Sequence, residues 1–249
     1  MKTVTLLSLV LLIGAAPMRA SEPIKIIHES FSSVSDGPPL DQMPGWEHHY
    51  GDGSVPRVLT AAGYEGNGVR FSSEASYRLA LESPAGVGRK YHAWELRFKL
   101  RVMAENDSYI MSQIVLGQSG GVNGLSVRFN GGTKDGWEDN FVEVSTGGES
   151  WGKMQFGEVS DSPWRKGQWY EVVVSGIRLD GQRNGELVGK ISINQLDTKN
   201  EDTKTLIQDV PVACVGAGAF NQADVIIIGN AGSARTFDVD DIILKAGAL

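Results

Sequence analysis

The sequence has a single cysteine, Cys214, among its 249 residues. One thiol can form no internal disulfide, so the hydrophobic core alone must hold the fold together. Cys214 lies in an apolar run, residues 210–215, without the basic neighbours that activate a thiol. We therefore predict a small buried packing residue at this position and no thiol chemistry.

Histidine is also scarce, with four residues in the chain. His48 and His49 are adjacent, and adjacent side chains on an extended segment point to opposite sides, which makes a poor zinc pair. The chain has no His-x-Glu-x-x-His motif and no Walker phosphate-binding loop. These absences argue against the common zinc-peptidase and nucleoside-triphosphatase classes.

Long apolar runs are missing beyond the first residues. Residues 4–13 are apolar except for Thr5 and Ser8, with Lys2 before them and small residues after them. This layout is typical of a secretory signal peptide and is too short for a membrane span. We predict cleavage after Ala20, with cleavage after Ala16 as the alternative. The mature protein is then secreted or periplasmic, with a single domain over residues 21–249. No later run approaches the ~18 apolar residues of a membrane-spanning helix.

A surplus of basic residues is absent as well. Without the two cations of residues 1–20, the chain has 21 basic and 30 acidic residues, a net charge of −9. This balance argues against nucleic acid and anionic membrane surfaces as partners.

What the chain does contain is period-two alternation and abundant glycine, with 31 residues. Residues 94–102 alternate between apolar and charged side chains, which is the pattern of a half-buried strand. Further strand candidates, separated by turn clusters, are residues 24–31, 55–59, 68–71, 77–81, 109–116, 125–130, 140–144, 153–156, 169–177, 187–194, 225–229 and 236–244. This spacing predicts an all-β fold, a two-sheet antiparallel jelly-roll sandwich.

Several stretches resemble the concanavalin A-like lectin/glucanase superfamily, and its laminin-G-like branch in particular. They are residues 29–31, 45–46, 93–100, the Trp-Tyr-x-Val-x-Val strand at 169–174 and a last strand with Asp-Asp before aliphatic residues at 237–244. The resemblance spans roughly residues 26–245 and implies a jelly roll. Members of that superfamily are lectins, adhesion modules, carbohydrate-binding modules, glucanases or polysaccharide lyases.

The catalytic motifs of these relatives are incomplete. Laminarinase-type glucanases carry Glu-x-Asp-x-x-Glu or Glu-x-Asp-x-Glu on one strand, whereas Glu138 and Asp139 are adjacent here and would point to opposite faces. Alginate-type lyases carry Gln-x-His, and Val115 stands where that histidine would be after Gln113. The sequence therefore favours a protein without catalysis; a lyase or hydrolase with non-standard residues is the alternative.

A row of long polar side chains is predicted across one sheet. If the strands between residues 94 and 144 form a meander, the turns place Lys99, Gln113, Arg128 and Glu143 side by side, flanked by Arg97 and Phe141. Such a row suits hydrogen bonding to sugar hydroxyls or carboxylates. The other interpretation is a solvated face with an Arg128–Glu143 pair.

The six tryptophans divide into two groups. Trp94 and Trp169 begin apolar strands and are predicted core residues. The remaining four lie among turn-forming residues and are predicted loop residues, which either close the ends of the sandwich or stack on sugar rings: Trp46, Trp137, Trp151 and Trp164. Trp137 and Trp151 flank the strand at residues 140–144 and are the candidates for ligand stacking.

Taken together, these patterns predict an exported carbohydrate-binding module, lectin-like and non-catalytic. An acidic polysaccharide is favoured if Arg97, Gln113 and Arg128 share a concave face. The alternatives are the enzyme described above and an adhesion or structural module that binds protein.

A structural calcium ion is a further hypothesis, with Glu29 on the first strand and Asp240 on the last as ligands. Strict alternation would place Asp240 on the same face as Ile242, so that its carboxylate needs a compensating partner. Backbone amides of a neighbouring loop, or the cations Lys25 and Arg235, are the alternative and favoured partners.

Overall fold

The computed structural model describes residues 24–81, 93–103, 111–117, 124–130, 141–146, 149–155, 167–178, 187–196, 203–214, 225–231 and 236–247. Its strands in chain order are β1 (Ile24–Glu29), β2 (Trp46–Tyr50), β3 (Arg57–Leu59), β4 (Gly68–Phe71), β5 (Ser76–Ala80), β6 (Ala93–Val102), β7 (Met111–Gly117), β8 (Gly124–Asn130), β9 (Phe141–Thr146), β10 (Glu149–Gln155), β11 (Trp169–Arg178), β12 (Leu187–Leu196), β13 (Thr203–Cys214), β14 (Val225–Ala231) and β15 (Phe237–Gly247). Two short 3₁₀ turns, Leu40–Gln42 and Thr60–Ala62, precede β2 and β4.

The strands form two antiparallel sheets. The β6 sheet has the order β13-β12-β11-β6-β15-β4-β3, with β1 paired to the second half of β15. The β8 sheet has the order β10-β9-β8-β7-β14-β5-β2. The predicted fold class, an all-β jelly-roll sandwich, is thereby confirmed.

The core lies between the inner faces of the two sheets, as the alternation predicts. On β6, Leu96, Phe98 and Leu100 are fully buried, while the charged residues between them lie on the outer face. The β8 sheet contributes inner residues such as Val127 and Ile228, which are equally buried. Burial of this apolar surface is the main force that holds the sandwich together.

Trp94 is a core residue, as predicted, and its indole needs a glycine across from it. Trp94 lies opposite Gly176 of β11, and a Cβ at Gly176 would come within 2.4 Å of Cζ2 of the indole. Glycine is required here for packing, since any side chain would displace the ring.

Two strands differ from the predicted set. β2 was predicted as a loop around Trp46, whereas Trp46 is a strand residue, 3% exposed, that packs against Phe31 in the core. β13 was not predicted, because Asp209 and Pro211 interrupt its pattern. It is the outermost strand of the β6 sheet in the described residues, the position at which a sheet tolerates proline.

A bulge in β15 changes which residues face the core. The register against β6 shifts between Asp240 and Ile243, and Asp241 has a left-handed φ of 49°. As a result Val239 and Ile242 both face the core, although strict alternation would place residues three positions apart on opposite faces. The prediction that Asp240 shares a face with Ile242 is therefore wrong, because the extra residue reverses the alternation.

Within the described ranges, no helix is long and apolar enough to cross a membrane.

Candidate functional site

The predicted polar row is divided between the two sheets. Strand β6 pairs with β11 and β15, so Lys99 lies opposite Glu171 and Asp240 instead of opposite Gln113. Gln113 is on β7, which pairs with β14 and β8 in the other sheet. The placement of Lys99 and Arg97 in the row is therefore wrong. The connection from β6 to β7 joins the two sheets, and turn-forming residues alone do not distinguish such a connection from a hairpin.

The rest of the row is confirmed at the level of strand register. Gln113 lies opposite Arg128, and Arg128 lies opposite Glu143. The row continues to Lys153 of β10, which the sequence did not indicate. Since Val127 is fully buried, its neighbour position 128 belongs to the outer face of the sheet. The structure thus places four polar residues in one line across four strands.

The structure agrees with some of the predicted aromatic site residues and not with others. Phe141 lies opposite Asn130, two residues along β9 from Glu143, and so flanks the row as predicted. Trp151 was predicted as a loop residue but belongs to β10, at a register shift between Ser150 and Gly152. Trp137 and Trp164 lie outside the described residues.

Lys99 and Arg97 belong instead to a charge network on the outer face of the β6 sheet. The Lys99 ammonium lies 2.7 Å from a carboxylate oxygen of Asp241 and 4.2 Å from the centre of the Tyr64 ring. Arg97 contacts the carboxylates of Glu95 and Glu171, each at 3.3 Å. These cations are used within the protein.

The same face holds a buried carboxylate between two arginines. The Asp238 side chain has no exposed surface and accepts hydrogen bonds from Arg70 at 2.8 Å and from Arg101 at 2.6 Å. This geometry is a structural lock, because two charge-assisted partners compensate for the lost hydration of one carboxylate.

A segment following β3, residues 60–65, crosses this face; we name it the strap. The strap residue Tyr64 packs edge-on against Trp169, with ring centres 5.8 Å apart. The Arg101 guanidinium also lies over the Trp169 ring, 4.7 Å from its centre. Arg101 also donates a hydrogen bond to the carbonyl oxygen of Ala61. Trp169 was predicted to be a core residue; it is buried, at 1% exposure, but on the outer face beneath the strap.

The proposed calcium ligands Glu29 and Asp240 lie on opposite faces of the β6 sheet. Glu29 is opposite Ile242, a core residue, whereas Asp240 is opposite Lys99 on the outer face. Facing residues of an antiparallel pair share a face, so these two carboxylates cannot hold one ion together. Among the described residues, no three His, Cys, Asp or Glu side chains are grouped as metal ligands would be.

Asp240 is compensated by backbone amides, as the favoured alternative predicted. Its carboxylate accepts hydrogen bonds from the N–H groups of Tyr64, at 2.9 Å, and Asp241, at 2.8 Å. Burial raises the pKa of Asp240, and the hydrogen bond from Tyr64 opposes that change. Burial likewise raises the pKa of Glu29, against the opposing effects of Trp46 and His28.

An open cleft of about 580 Å³ lies at the β2 edge of the β8 sheet. It is lined by His48, His49, Tyr50, Gly51, Asp52, Gly53 and Glu74. Tyr50 is 58% exposed. In the described part of the chain it is the large hydrophobic side chain that lies exposed at the surface. The sequence did not indicate this site, because the adjacent His48 and His49 suggested only a poor zinc pair.

The histidines of the cleft differ in their surroundings. The Nε2–H of His48 donates to the carbonyl oxygen of Gly51 at 2.7 Å, and its ring packs edge-on against Tyr77 at 5.3 Å. Burial lowers the pKa of His49, and electrostatic interaction with Arg78 and His48 lowers it further. At neutral pH His49 is therefore a hydrogen-bonding group without charge.

The chain also contains one nucleophile motif that was not predicted. Residues 117–121 read Gly-Gln-Ser-Gly-Gly, which matches the Gly-x-Ser-x-Gly pattern of serine hydrolases. In those enzymes the serine stands between a strand and a helix. Here Gly117 ends β7, and the next element in the described residues is its antiparallel neighbour β8, which begins at Gly124. Ser119 itself, like Glu138 and Asp139, lies outside the described residues.

Comparison with known proteins defines the fold. No protein-family model matches the chain, and no curated protein matches it in sequence. Among solved structures, the binding domain of botulinum neurotoxin serotype G is similar, with a TM-score of 0.52 and 9% identity over 91% of this chain. This chain spans about half of that binding domain, 48% of its length.

A second similar structure is the conserved carbohydrate esterase vb_24B_21 from the Shiga toxin-encoding bacteriophage phi24B. It has a TM-score of 0.51 and 15% identity, and the match covers 90% of this chain and 99% of that protein. At these identities the likeness shows the fold alone, a jelly-roll sandwich.

Proposed function

We propose that this chain is an exported, non-catalytic carbohydrate-binding module that holds its glycan on the outer face of the β8 sheet. The observation that carries the proposal is the register of Gln113, Arg128 and Glu143 on three neighbouring strands. Amide, guanidinium and carboxylate groups in one line offer both donors and acceptors to a row of hydroxyl groups. The phage protein of the same fold, described as a carbohydrate esterase, supports a ligand of this class.

An acidic polysaccharide remains the favoured ligand, although the cations that support this proposal are different from those predicted. Arg97 belongs to the other sheet and no longer contributes. Lys153 takes its place, because it lies opposite Glu143 at the end of the row. Two cations, Arg128 and Lys153, thus stand in the row with one carboxylate, which suits a uronate-containing chain.

The two arginines first assigned to one row now provide a matched test. Arg128→Ala changes the β8 sheet, and Arg97→Ala changes the outer face of the β6 sheet. Binding of alginate, laminarin and chitosan to the purified protein and to both variants is measured by affinity electrophoresis. We expect Arg128→Ala to weaken alginate binding by about tenfold or more, the effect of losing a charge-assisted hydrogen bond, and Arg97→Ala to leave it unchanged.

Equal losses in the two variants would contradict this placement of the ligand. Absence of binding to all three polysaccharides would contradict the carbohydrate-binding function. Release of reducing ends, unsaturated ends or acetate from them would show that the protein is an enzyme, the alternative hypothesis.

A further inference from the structure

The cleft at the β2 edge is built by two segments of the chain that are held tightly together. Gly51 has a φ of 89°, and a Cβ there would lie 2.1 Å from the carbonyl oxygen of Glu74. The Ser73 hydroxyl donates a hydrogen bond of 2.9 Å to the carbonyl oxygen of Ser54. The turn after β2 therefore has a fixed position against residues 73–74, and the cleft is preformed.

This arrangement brings two carboxylates and an aromatic ring to one cleft. Asp52 is exposed on the turn, Glu74 is half-buried, and Tyr50 is 58% exposed. Neither carboxylate is paired with a lysine or arginine of the described residues. The negative charge of Asp52 and Glu74 is therefore available to a ligand that enters the cleft.

The basic groups around the cleft do not offset this charge. Among the described residues that line it, none is a lysine or an arginine. Arg78, whose charge acts on His49, is paired with the Glu47 carboxylate at 2.8 Å. His49 is itself uncharged at neutral pH, since burial and then Arg78 and His48 lower its pKa. A negative surface thus lies beside an exposed aromatic ring.

These groups suit an organic cation better than a metal ion. The described residues contain no group of three His, Cys, Asp or Glu side chains placed as metal ligands. An ammonium group, in contrast, donates hydrogen bonds to carboxylates and is attracted to the face of a tyrosine ring. The cleft volume of about 580 Å³ lies within the range of small-molecule sites, so it admits a carbon frame together with the charged group.

We propose that the Tyr50 cleft is a separate binding site for a small organic ammonium ion. Asp52 and Glu74 accept hydrogen bonds from the ammonium group, and the Tyr50 ring contacts the adjoining carbon atoms. This inference goes beyond the proposed function, because the acidic glycan assigned to the polar row has the opposite charge and would be repelled by this cleft. The two sites therefore take different ligands.

Sugars that share a ring and differ in charge test the site. Glucosamine, N-acetylglucosamine and glucose are titrated into ¹⁵N-labelled protein at about pH 6 and low salt, and the amide signals of Gly51 and Gly53 report on the cleft. Of these three sugars, we expect glucosamine alone to shift both signals, with a dissociation constant on the order of 1 mM, since exposed ion pairs are weak. Cadaverine, an amine without a sugar ring, should shift the same signals. Salt at about 0.3 M should weaken the binding of both amines severalfold by screening the charges.

Matched variants identify the groups that bind the ammonium ion. Asp52→Asn/Glu74→Gln removes both carboxylates of the cleft and should weaken glucosamine binding by about tenfold. The control Glu65→Gln/Asp209→Asn changes the net charge equally at exposed positions of the strap and β13, and should leave binding unchanged. Tyr50→Ala should weaken binding by about threefold, whereas Tyr50→Phe, which keeps the ring, should preserve it.

Three results would overturn the inference. In the first, glucose and N-acetylglucosamine shift the two glycine signals as strongly as glucosamine does, which would make the cleft a site for neutral sugars. In the second, the control variant weakens glucosamine binding as much as the cleft variant, which would mean that only the overall negative charge of the protein attracts the amine. In the third, neither amine shifts Gly51 or Gly53 at about 20 mM, well above the expected dissociation constant. Alginate binding that depends on Arg128 is measured separately, so either proposal can fail while the other stands.

Discussion

The outer faces of the two sheets use charged and aromatic residues in opposite ways. On the β6 sheet, Asp238 is enclosed by Arg70 and Arg101, and Tyr64 of the strap covers Trp169. At the β2 edge of the β8 sheet, Tyr50 stands in solvent beside an open cleft. A charged strand residue is therefore a candidate for ligand binding only after its own partners are known. The Lys99 and Arg97 side chains fit the pattern of a ligand-binding row, yet they pair with carboxylates of the β6 sheet itself.

The largest loss of stability is expected at the buried Asp238, on the outer face of the β6 sheet. Asp238→Ala leaves Arg70 and Arg101 without their shared carboxylate in a buried setting, which should lower the free energy of unfolding by about 3–5 kcal/mol. Urea denaturation measures the change. The matched variant Glu47→Gln breaks the more exposed pair with Arg78 on the β8 sheet and should cost no more than about 1 kcal/mol. Similar losses in both variants would remove the distinction between the two faces.

Two tyrosines offer a second comparison of the faces. Tyr64→Ala removes the ring that packs on Trp169 and Lys99, and should destabilise the protein by about 1–3 kcal/mol. Tyr50→Ala removes an exposed ring and should change stability by less than about 0.5 kcal/mol. Thermal unfolding of both variants provides the measurement. A marked loss of stability in Tyr50→Ala would mean that this ring has a structural role.

The smallest effect concerns the pH dependence contributed by Asp240. Burial raises the pKa of Asp240 in the folded state, so this group favours folding most below its ordinary pKa and loses that contribution as the pH rises through its folded value. Relative to Asp240→Asn, the wild type should therefore be more stable at pH 4 than at pH 7. Urea denaturation of both proteins across this range gives the difference, and a difference that grows with pH would contradict the direction of the shift.

Much of this architecture follows from local sequence patterns. The alternation on β6 correctly separates buried Leu96 and Phe98 from charged Arg97, because burial on one side of a strand imposes a period of two. The Gln113–Arg128–Glu143 row follows as well, since two successive antiparallel pairings fix it. The site could be predicted only where neighbouring strands in the chain are also neighbours in the sheet.

The features that escaped prediction depend on contacts between distant parts of the chain. Trp169 is covered by Tyr64, a residue of a segment that the sequence does not mark as a strap. The bulge at Asp241 reverses the faces of β15, and a left-handed φ at a non-glycine residue has no signature in alternation. The Tyr50 cleft includes Glu74, which is far from Tyr50 in the chain.

The outermost strand β13 also has a consequence for the protein at high concentration. Pro211 has no backbone N–H to offer, and the N–H of Asp209, whose φ is 48°, donates inward to the Ser192 hydroxyl at 2.9 Å. A strand of another molecule would therefore find an interrupted ladder along this border. We expect such interruptions to limit edge-to-edge pairing between molecules, so the irregular pattern that hid β13 from prediction would also protect this edge.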